Sequence, residues 1–322
     1  MASLDAVFSA YESRVAELEA RAATNPFARG IAWVDGEFVP LHQARVPLLD
    51  QGFLHCDLTY DAPAVWDGRF FRLDDHISRL EASCAKLRLR LPIPREDMKR
   101  LLVEMISRSE MRDALAQMMV TRGIIDTRQM TSDKAVNNLY MFAKPYVWAM
   151  RRDVQQTTGG SAVVARTVRR VPPGAMDPTV KNLQWGDLVR GMFEAQDRGA
   201  TYALLTDGDG NLTEGPGFNV VLVDGGVIYT PDRGCLMGVT RDSVLRVAKG
   251  LGLEMRCEFV PVDMAYRCDE LFICTTAGGV MPITTLDGQA VAGGEIGPVT
   301  KSIMDEYWAM HYDDTHTLEV KY

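Results

Sequence analysis

Apolar residues recur at Leu4, Phe8, Tyr11, Val15 and Leu18, a spacing of three and four that predicts an amphipathic helix reaching Arg21. Asn25-Pro26 breaks the pattern, and the short runs 31–34 and 37–40 on either side of Asp35-Gly36 read as a β-hairpin. The device recurs with runs 59–66 and 69–73 around Asp67-Gly68, after which Asp74 is expected to cap a helix carrying Ile77, Leu80 and Cys84. Residues 96–108 continue as a second amphipathic helix. Runs 117–121 and 138–142 are strand-like, Met118 and Met119 are expected to fill core gaps, and the polar stretch 126–134 between the runs is expected to be a mobile loop.

Between residues 146 and 160 the apolar period fades and Arg151, Arg152, Asp153, Gln155 and Gln156 gather ahead of Gly159-Gly160. The domain junction is placed there, giving a smaller N-terminal α/β domain at 1–147, a linker at 148–156 and a larger C-terminal domain at 157–322. Beyond it, strands are expected at 162–167, 202–205, 219–223, 227–229, 258–260 and 271–274, with helices only at 186–198, 240–250 and 299–310. A strand-rich half with so few helices predicts an α+β class and not a doubly wound parallel sheet.

Composition narrows the function classes. A hydrophobic fraction of 47% with 24% charged residues is that of an ordinary globular protein, which sets disorder aside. The net charge of −8 and the absence of a basic-aromatic cluster argue against nucleic acid as a partner. The N-terminal helix carries Asp5, Glu12, Glu17 and Glu19 and no long apolar run, so neither a signal peptide nor a membrane span is expected. Six scattered cysteines fit reduced thiols in a cytoplasmic protein, and five scattered histidines give no metal site.

The candidate chemistry starts at Lys181, in Val180-Lys181-Asn182-Leu183-Gln184-Trp185-Gly186-Asp187, a lone lysine among apolar and amide neighbours in a chain that otherwise favours arginine. An ordinary lysine, with a pKa of about 10.4, is almost wholly protonated at pH 7, so burial that lowers the pKa greatly increases the nucleophilic form. Read alone, a lysine in an apolar stretch is more often a snorkelling surface group. Imine chemistry needs an electron sink, and three further features suit pyridoxal phosphate. Glu214, at the entry to a strand and followed by Gly215 and Gly217, suits the pyridinium nitrogen; alone it reads more readily as a turn carboxylate capping the strand. Gly238-Val239-Thr240-Arg241 opens a helix whose first N–H groups, dipole and Thr240 hydroxyl suit a phosphate; alone it is an ordinary glycine-to-helix junction. Thr275-Thr276-Ala277-Gly278-Gly279 follows an apolar strand and offers further donors.

In order and separation these features resemble the fold type IV pyridoxal-phosphate transaminases, and among them most the (R)-selective amine transaminases. The resemblance runs essentially end to end. Its most specific stretches are Asp57-Leu58-Thr59-Tyr60, Trp66-Asp67-Gly68, Phe71-Arg72-Leu73-Asp74-Asp75-His76, Thr167-Val168-Arg169-Arg170 and the segments 181–187, 213–219, 238–241 and 274–279. The resemblance implies two domains, the C-terminal one a strand-rich pseudo-barrel, and a pyridoxal 5'-phosphate cofactor. It implies Lys181 as the residue that carries the cofactor in an internal aldimine, Glu214 facing the ring nitrogen and Leu236 packing on the ring. The phosphate would fall to Arg79, Val239, Thr240 and Thr276, although Arg79 read alone is a solvated helix arginine. The pocket wall would comprise Tyr60, Ala62, Leu115, Gln117, Arg128, Trp185, Thr275 and Ala277, with His55 lent by a second copy in a homodimer. Arg128, in the expected loop, is suited to pair with a keto acid's carboxylate. At positions 62, 115 and 117 the family more often carries a larger β-branched residue, an aromatic and an acid; Ala62 and Leu115 lower the volume, which predicts tolerance of bulkier amines. The implied reaction is ping-pong transfer of an amino group from a chiral primary amine to a keto acid such as pyruvate. D-amino acid or branched-chain amino acid transamination, or a lyase reaction, is the alternative on the same fold.

Overall fold

The computed structural model describes residues 4–125 and 135–322. The chain forms two compact units that are not contiguous in sequence: one comprises 7–147, 180–184 and 311–322, the other 1–6, 148–179 and 185–310. The segment carrying Lys181 therefore belongs to the first unit, and so does the C-terminus.

Among the described residues the first unit is built on an eight-stranded sheet. Ile31–Val34 and Glu37–Pro40 form the expected hairpin, with Asp35 and Gly36 at positive φ. The second hairpin differs from expectation, because its first strand is cut into Leu58–Asp61 and Ala64–Trp66. Pro63 lacks an N–H and cannot continue a ladder. Both pieces still pair with Ala114–Thr121 in one register, Asp61 opposite Met118 and Ala64 opposite Leu115, so the break bends the strand without slipping it. Helix Leu73–Lys86 is entered through Arg72 in the left-handed region with no side-chain cap. Asp74 lies inside the first turn, where it pairs with Lys99 and Arg95 instead of capping. Helices Leu73–Lys86 and Arg95–Ser109 bury Ile77, Leu80, Met98, Leu102 and Met105 in the core beside Ala116, Met118 and Val120. Met119, expected in the core, lies on the opposite, half-buried face of its strand with Leu115 and Gln117, as period-two alternation requires.

The second unit carries a mixed sheet of nine strands among the described residues. Phe218–Asp224, Glu270–Thr275 and Gly279–Leu286 form its antiparallel centre, and Gly160–Val164 and Tyr202–Leu204 extend it in parallel. The buried strand Gly279–Leu286 was not expected from the sequence. It begins at a Gly-Gly pair and contains Pro282, both strand-breaking signals, and its pairing to Gly160–Val164 is irregular between Ile283 and Thr285. The strand expected at 258–260 is instead Met255–Glu258. Helices Gly186–Asp197, Val239–Gly250 and Pro298–Ala309 match the three expected.

A carboxylate clamp fixes the segment that leads to Arg170. Glu194, on helix Gly186–Asp197, accepts the N–H groups of Arg166 and Thr167 at 2.8 and 2.9 Å, the Thr167 hydroxyl at 2.6 Å and Arg198 at 2.9 Å. Burial opposes the charge, but these four donors outweigh it and bring the Glu194 pKa down to about 2 from an ordinary 4.5. Its contribution to stability is therefore complete above pH 4.5 and lost as the pH falls toward about 2. Glu194→Gln is expected to flatten that acid limb while lowering stability at neutral pH; a chemical-denaturation series from pH 6 to pH 2 with parallel curves for the two proteins would contradict it.

No helix of the described residues is long and apolar enough to cross a membrane. Burial pushes the thiols of Cys84, Cys235, Cys268 and Cys274 up to about 12, so none of the four is a nucleophile near neutrality.

Candidate active site

In the first unit, Leu58–Asp61 supplies three consecutive side chains to one cluster. The Lys181 carbonyl accepts the Thr59 hydroxyl at 2.7 Å and the Tyr60 N–H at 3.1 Å, which fixes the lysine's backbone against the strand edge. The half-buried Lys181 Nζ then stands 4.7 Å from the centroid of the Tyr60 ring. Asp61, fully buried, accepts Arg79 Nε at 2.7 Å, a second Arg79 nitrogen at 2.8 Å and His76 Nδ1 at 2.7 Å. Burial raises the cost of its charge, yet Arg79 and His76 hold the carboxyl well below the usual carboxylate range. An ionised Asp61 only accepts, so His76 carries its proton on Nδ1. Burial, with Arg79 and Lys181 nearby, pushes the His76 pKa down despite Asp61.

Of the other residues expected to line the pocket, Ala62 follows Asp61 directly and is half-buried, and Leu115 and Gln117 share the half-buried face of Ala114–Thr121. His55 ends the short helix Gln51–His55, exposed, with Nδ1 2.7 Å from Gln51 Oε1. Arg128 and the expected loop 126–134 lie outside the described residues.

In the second unit the centre is a buried ion network. Glu214 opens the two-residue strand Glu214–Gly215, opposite Asn219. Its Oε1 accepts Arg170 Nε at 2.9 Å and its Oε2 accepts the Leu236 N–H at 2.9 Å. Arg170 reaches on to Asp187 at 2.6 Å, and Asp187 also accepts the Val171 N–H. Glu214, Arg170 and Asp187 are all buried. Burial disfavours the guanidinium charge, but the two carboxylates raise the Arg170 pKa above its already high value. Two buried carboxylates thus share one guanidinium.

Helix Val239–Gly250 starts beside this network without a side-chain cap, its Val239 and Thr240 buried. Gly238 is required there: a Cβ would lie 2.1 Å from Asn219 Oδ1, whose amide donates to the Leu236 carbonyl at 2.8 Å. Gly217, at φ +81°, turns the chain where the Thr275 hydroxyl donates to its carbonyl at 2.8 Å, and a Cβ on it would meet the Trp185 ring at 3.2 Å. Thr276 and Ala277 form the turn after Glu270–Thr275, with the Ala277 carbonyl accepting the Ala149 N–H.

Within the first unit, then, Lys181, Tyr60 and Arg79 share one cluster; within the second, Glu214 and Leu236 are hydrogen-bonded, and Trp185 and Thr275 meet at Gly217. Sequence reasoning missed Asp61, His76, Arg170, Asp187 and Asn219 as site residues. The available signal was a carboxylate in the otherwise apolar and hydroxylic run Leu58–Asp61, and charges at Arg170 and Asp187 flanking the lysine segment.

The family model described as Amino-transferase class IV matches residues 59–286, from the strand that holds Lys181 through the last long strand of the second sheet. The chain belongs to this family. A putative branched-chain-amino-acid aminotransferase of Methanocaldococcus jannaschii is 30% identical to this class IV aminotransferase over 277 residues, 85% of this chain and 94% of its own. A D-alanine aminotransferase of Bacillus licheniformis is 29% identical over 271 residues, 84% of this chain and 93% of its own. Among solved structures, a T.th. branched-chain amino acid aminotransferase with pyridoxamine 5'-phosphate matches with a TM-score of 0.83 and 25% identity, covering 91% of this chain and 99% of that one. The fold is accordingly the α+β arrangement of the fold type IV aminotransferases.

Proposed function

We propose that this class IV aminotransferase is a pyridoxal 5'-phosphate enzyme that moves the amino group of an (R)-configured primary amine to a keto acid such as pyruvate, in two half-reactions of a ping-pong cycle. The observation that supports it most is the Lys181 clamp: a backbone pinned by Thr59 and Tyr60 with its amine over an aromatic face.

The residues present fit the cofactor. Glu214 is a buried carboxylate bonded to Arg170, suited to a protonated ring nitrogen, and the start of helix Val239–Gly250, which has no side-chain cap, is suited to a phosphate. When bound, pyridoxal phosphate supplies an aldehyde that captures amines and a ring that takes up the electron pair left by C–H cleavage. Lys181 would hold the aldehyde through Nζ, and its amine, when free, would take the proton from the substrate carbon. Glu214 would keep the proton on the ring nitrogen, and Leu236 would pack on the ring. Arg79, the N–H groups of Val239 and Thr240, the Thr240 hydroxyl and Thr276 would hold the phosphate, and Arg128 would take the keto acid's carboxylate. Tyr60, Ala62, Leu115, Gln117, Trp185, Thr275 and Ala277 bound the substrate, and His55 serves it from a second copy.

The (R)-amine assignment is inherited from the end-to-end resemblance to the (R)-selective amine transaminases. A second reading, branched-chain or D-amino acid transamination, is supported by the names of the relatives. Initial rates with (R)- and (S)-1-phenylethylamine, D-alanine and L-leucine separate them. The (R)-amine is expected to be fastest and its enantiomer near background; L-leucine or D-alanine outrunning both amines would replace the first reading by the second.

A homodimer belongs to the same proposal. In the first unit Leu48, Leu49 and Phe53 are more than half exposed, and a cluster of large apolar side chains that open marks an association surface. Light scattering on a sizing column is expected to give twice the chain mass, and Phe53→Glu to shift it toward the chain mass. A wild-type protein that elutes as a single chain at micromolar concentration would contradict this.

A further inference from the structure

Strand Leu58–Asp61 does two jobs in one stretch: Thr59 and Tyr60 hold the Lys181 backbone, and Asp61 holds Arg79. Arg79 stands on helix Leu73–Lys86, one helical turn after His76, so its guanidinium has no orientation of its own beyond what its partners impose. Asp61 takes two of its nitrogens in a fork, and the carboxylate is itself fixed by His76 Nδ1 and by the Ala62 N–H at 2.8 Å. A fully buried carboxylate held by four donors is a rigid template, whereas the Arg79 side chain is 13% exposed.

We infer that Asp61 is a positioning residue that aims Arg79 at the cofactor's phosphate, and that one strand thereby sets the spacing between the phosphate clamp and the amine that binds the aldehyde. This rests on the pyridoxal-phosphate reading above. Its consequence is selective: Asp61 serves the phosphate end of the cofactor and not the aldehyde end.

The test compares binding of pyridoxal 5'-phosphate with that of pyridoxal, which has the aldehyde and lacks the phosphate, to the apoprotein by absorbance. Asp61→Asn is expected to weaken pyridoxal-phosphate binding roughly ten- to hundredfold, the value of one charge-assisted hydrogen-bond set, and to leave pyridoxal binding within about twofold. Arg79→Gln should do the same, and the double variant should be no weaker than Arg79→Gln alone, because Asp61 acts through Arg79. Equal loss of both aldehydes, or additive losses in the double variant, overturns the inference and leaves Asp61 a structural residue. Should Asp61→Asn fail to fold, Asp61→Glu, which restores the charge at a displaced position, must show the same selective loss in smaller measure, and an unselective loss overturns the inference equally. A wild-type protein that binds pyridoxal phosphate no more tightly than pyridoxal instead sinks the cofactor reading itself.

Discussion

Replacing Lys181 by alanine is expected to abolish amino-group transfer, with turnover falling by about ten-thousandfold or more. Proton transfer by a placed general base and acid contributes roughly 10²–10⁴, and loss of the covalent attachment point adds to it. The fold is expected to survive, because the contacts that pin this segment go through the Lys181 carbonyl, to Thr59 and Tyr60, and not through the side chain. The amine's position over Tyr60 is worth only about 0.5–1 kcal/mol at a partly exposed site. Lys181→Arg is the sharper control: it keeps a cation over the ring but offers no amine nucleophile, and the same collapse is expected. Steady-state rates with a melting curve for each apoprotein separate the two effects. A variant that melts like the parent and still transfers nitrogen at the parent rate would remove Lys181 from the chemistry.

Glu214→Gln is expected to lower turnover by about a hundred- to a thousandfold. A carboxylate about 4 Å from the ring nitrogen at an effective dielectric of 20 favours the protonated ring by roughly 4 kcal/mol, near three pKa units, and glutamine forgoes that. The change also strains the network. Glu214 accepts on both oxygens, from Arg170 Nε and from the Leu236 N–H, and an amide sets its NH₂ against one of these donors. A stability loss of about 1–3 kcal/mol is expected beside the kinetic one. Asp187→Asn gives the comparison, since it removes the second carboxylate from Arg170 while sparing Glu214, and a smaller turnover loss is expected. Equal turnover losses for the two variants, matched to equal stability losses, would mean that the network matters only for folding.

Much of this architecture was readable before any coordinates, and the reasons are local. The hairpin at Asp35-Gly36 and the helices at 186–197 and 239–250 follow from turn residues with few conformational choices and from a clean three-to-four apolar period. Gly279–Leu286 was illegible because its glycine pair and Pro282 argue against a strand, while its two neighbours in the sheet, distant in sequence, impose one. Met119 was misplaced because two successive methionines look alike until the strand's register assigns them to opposite faces. At the candidate site, Lys181 and Glu214 stood out by their chemistry and by resemblance. Asp61, His76, Arg170 and Asp187 were not, because a buried charge is recognisable only once its partner is known, and the pairs Asp61 with Arg79 and Arg170 with Glu214 join residues 18 and 44 positions apart.

The central claim is that the Lys181 amine bonds covalently to the aldehyde of pyridoxal phosphate. Reducing the yellow holoprotein with borohydride and mapping the modified peptide by mass spectrometry tests it directly. The account predicts a single reduced pyridoxyl-phosphate adduct, on the peptide containing Val180-Lys181-Asn182 and on no other lysine. An adduct on Lys86, Lys144 or Lys301 with Lys181 unmodified, or no adduct on protein that has bound the cofactor, would contradict it.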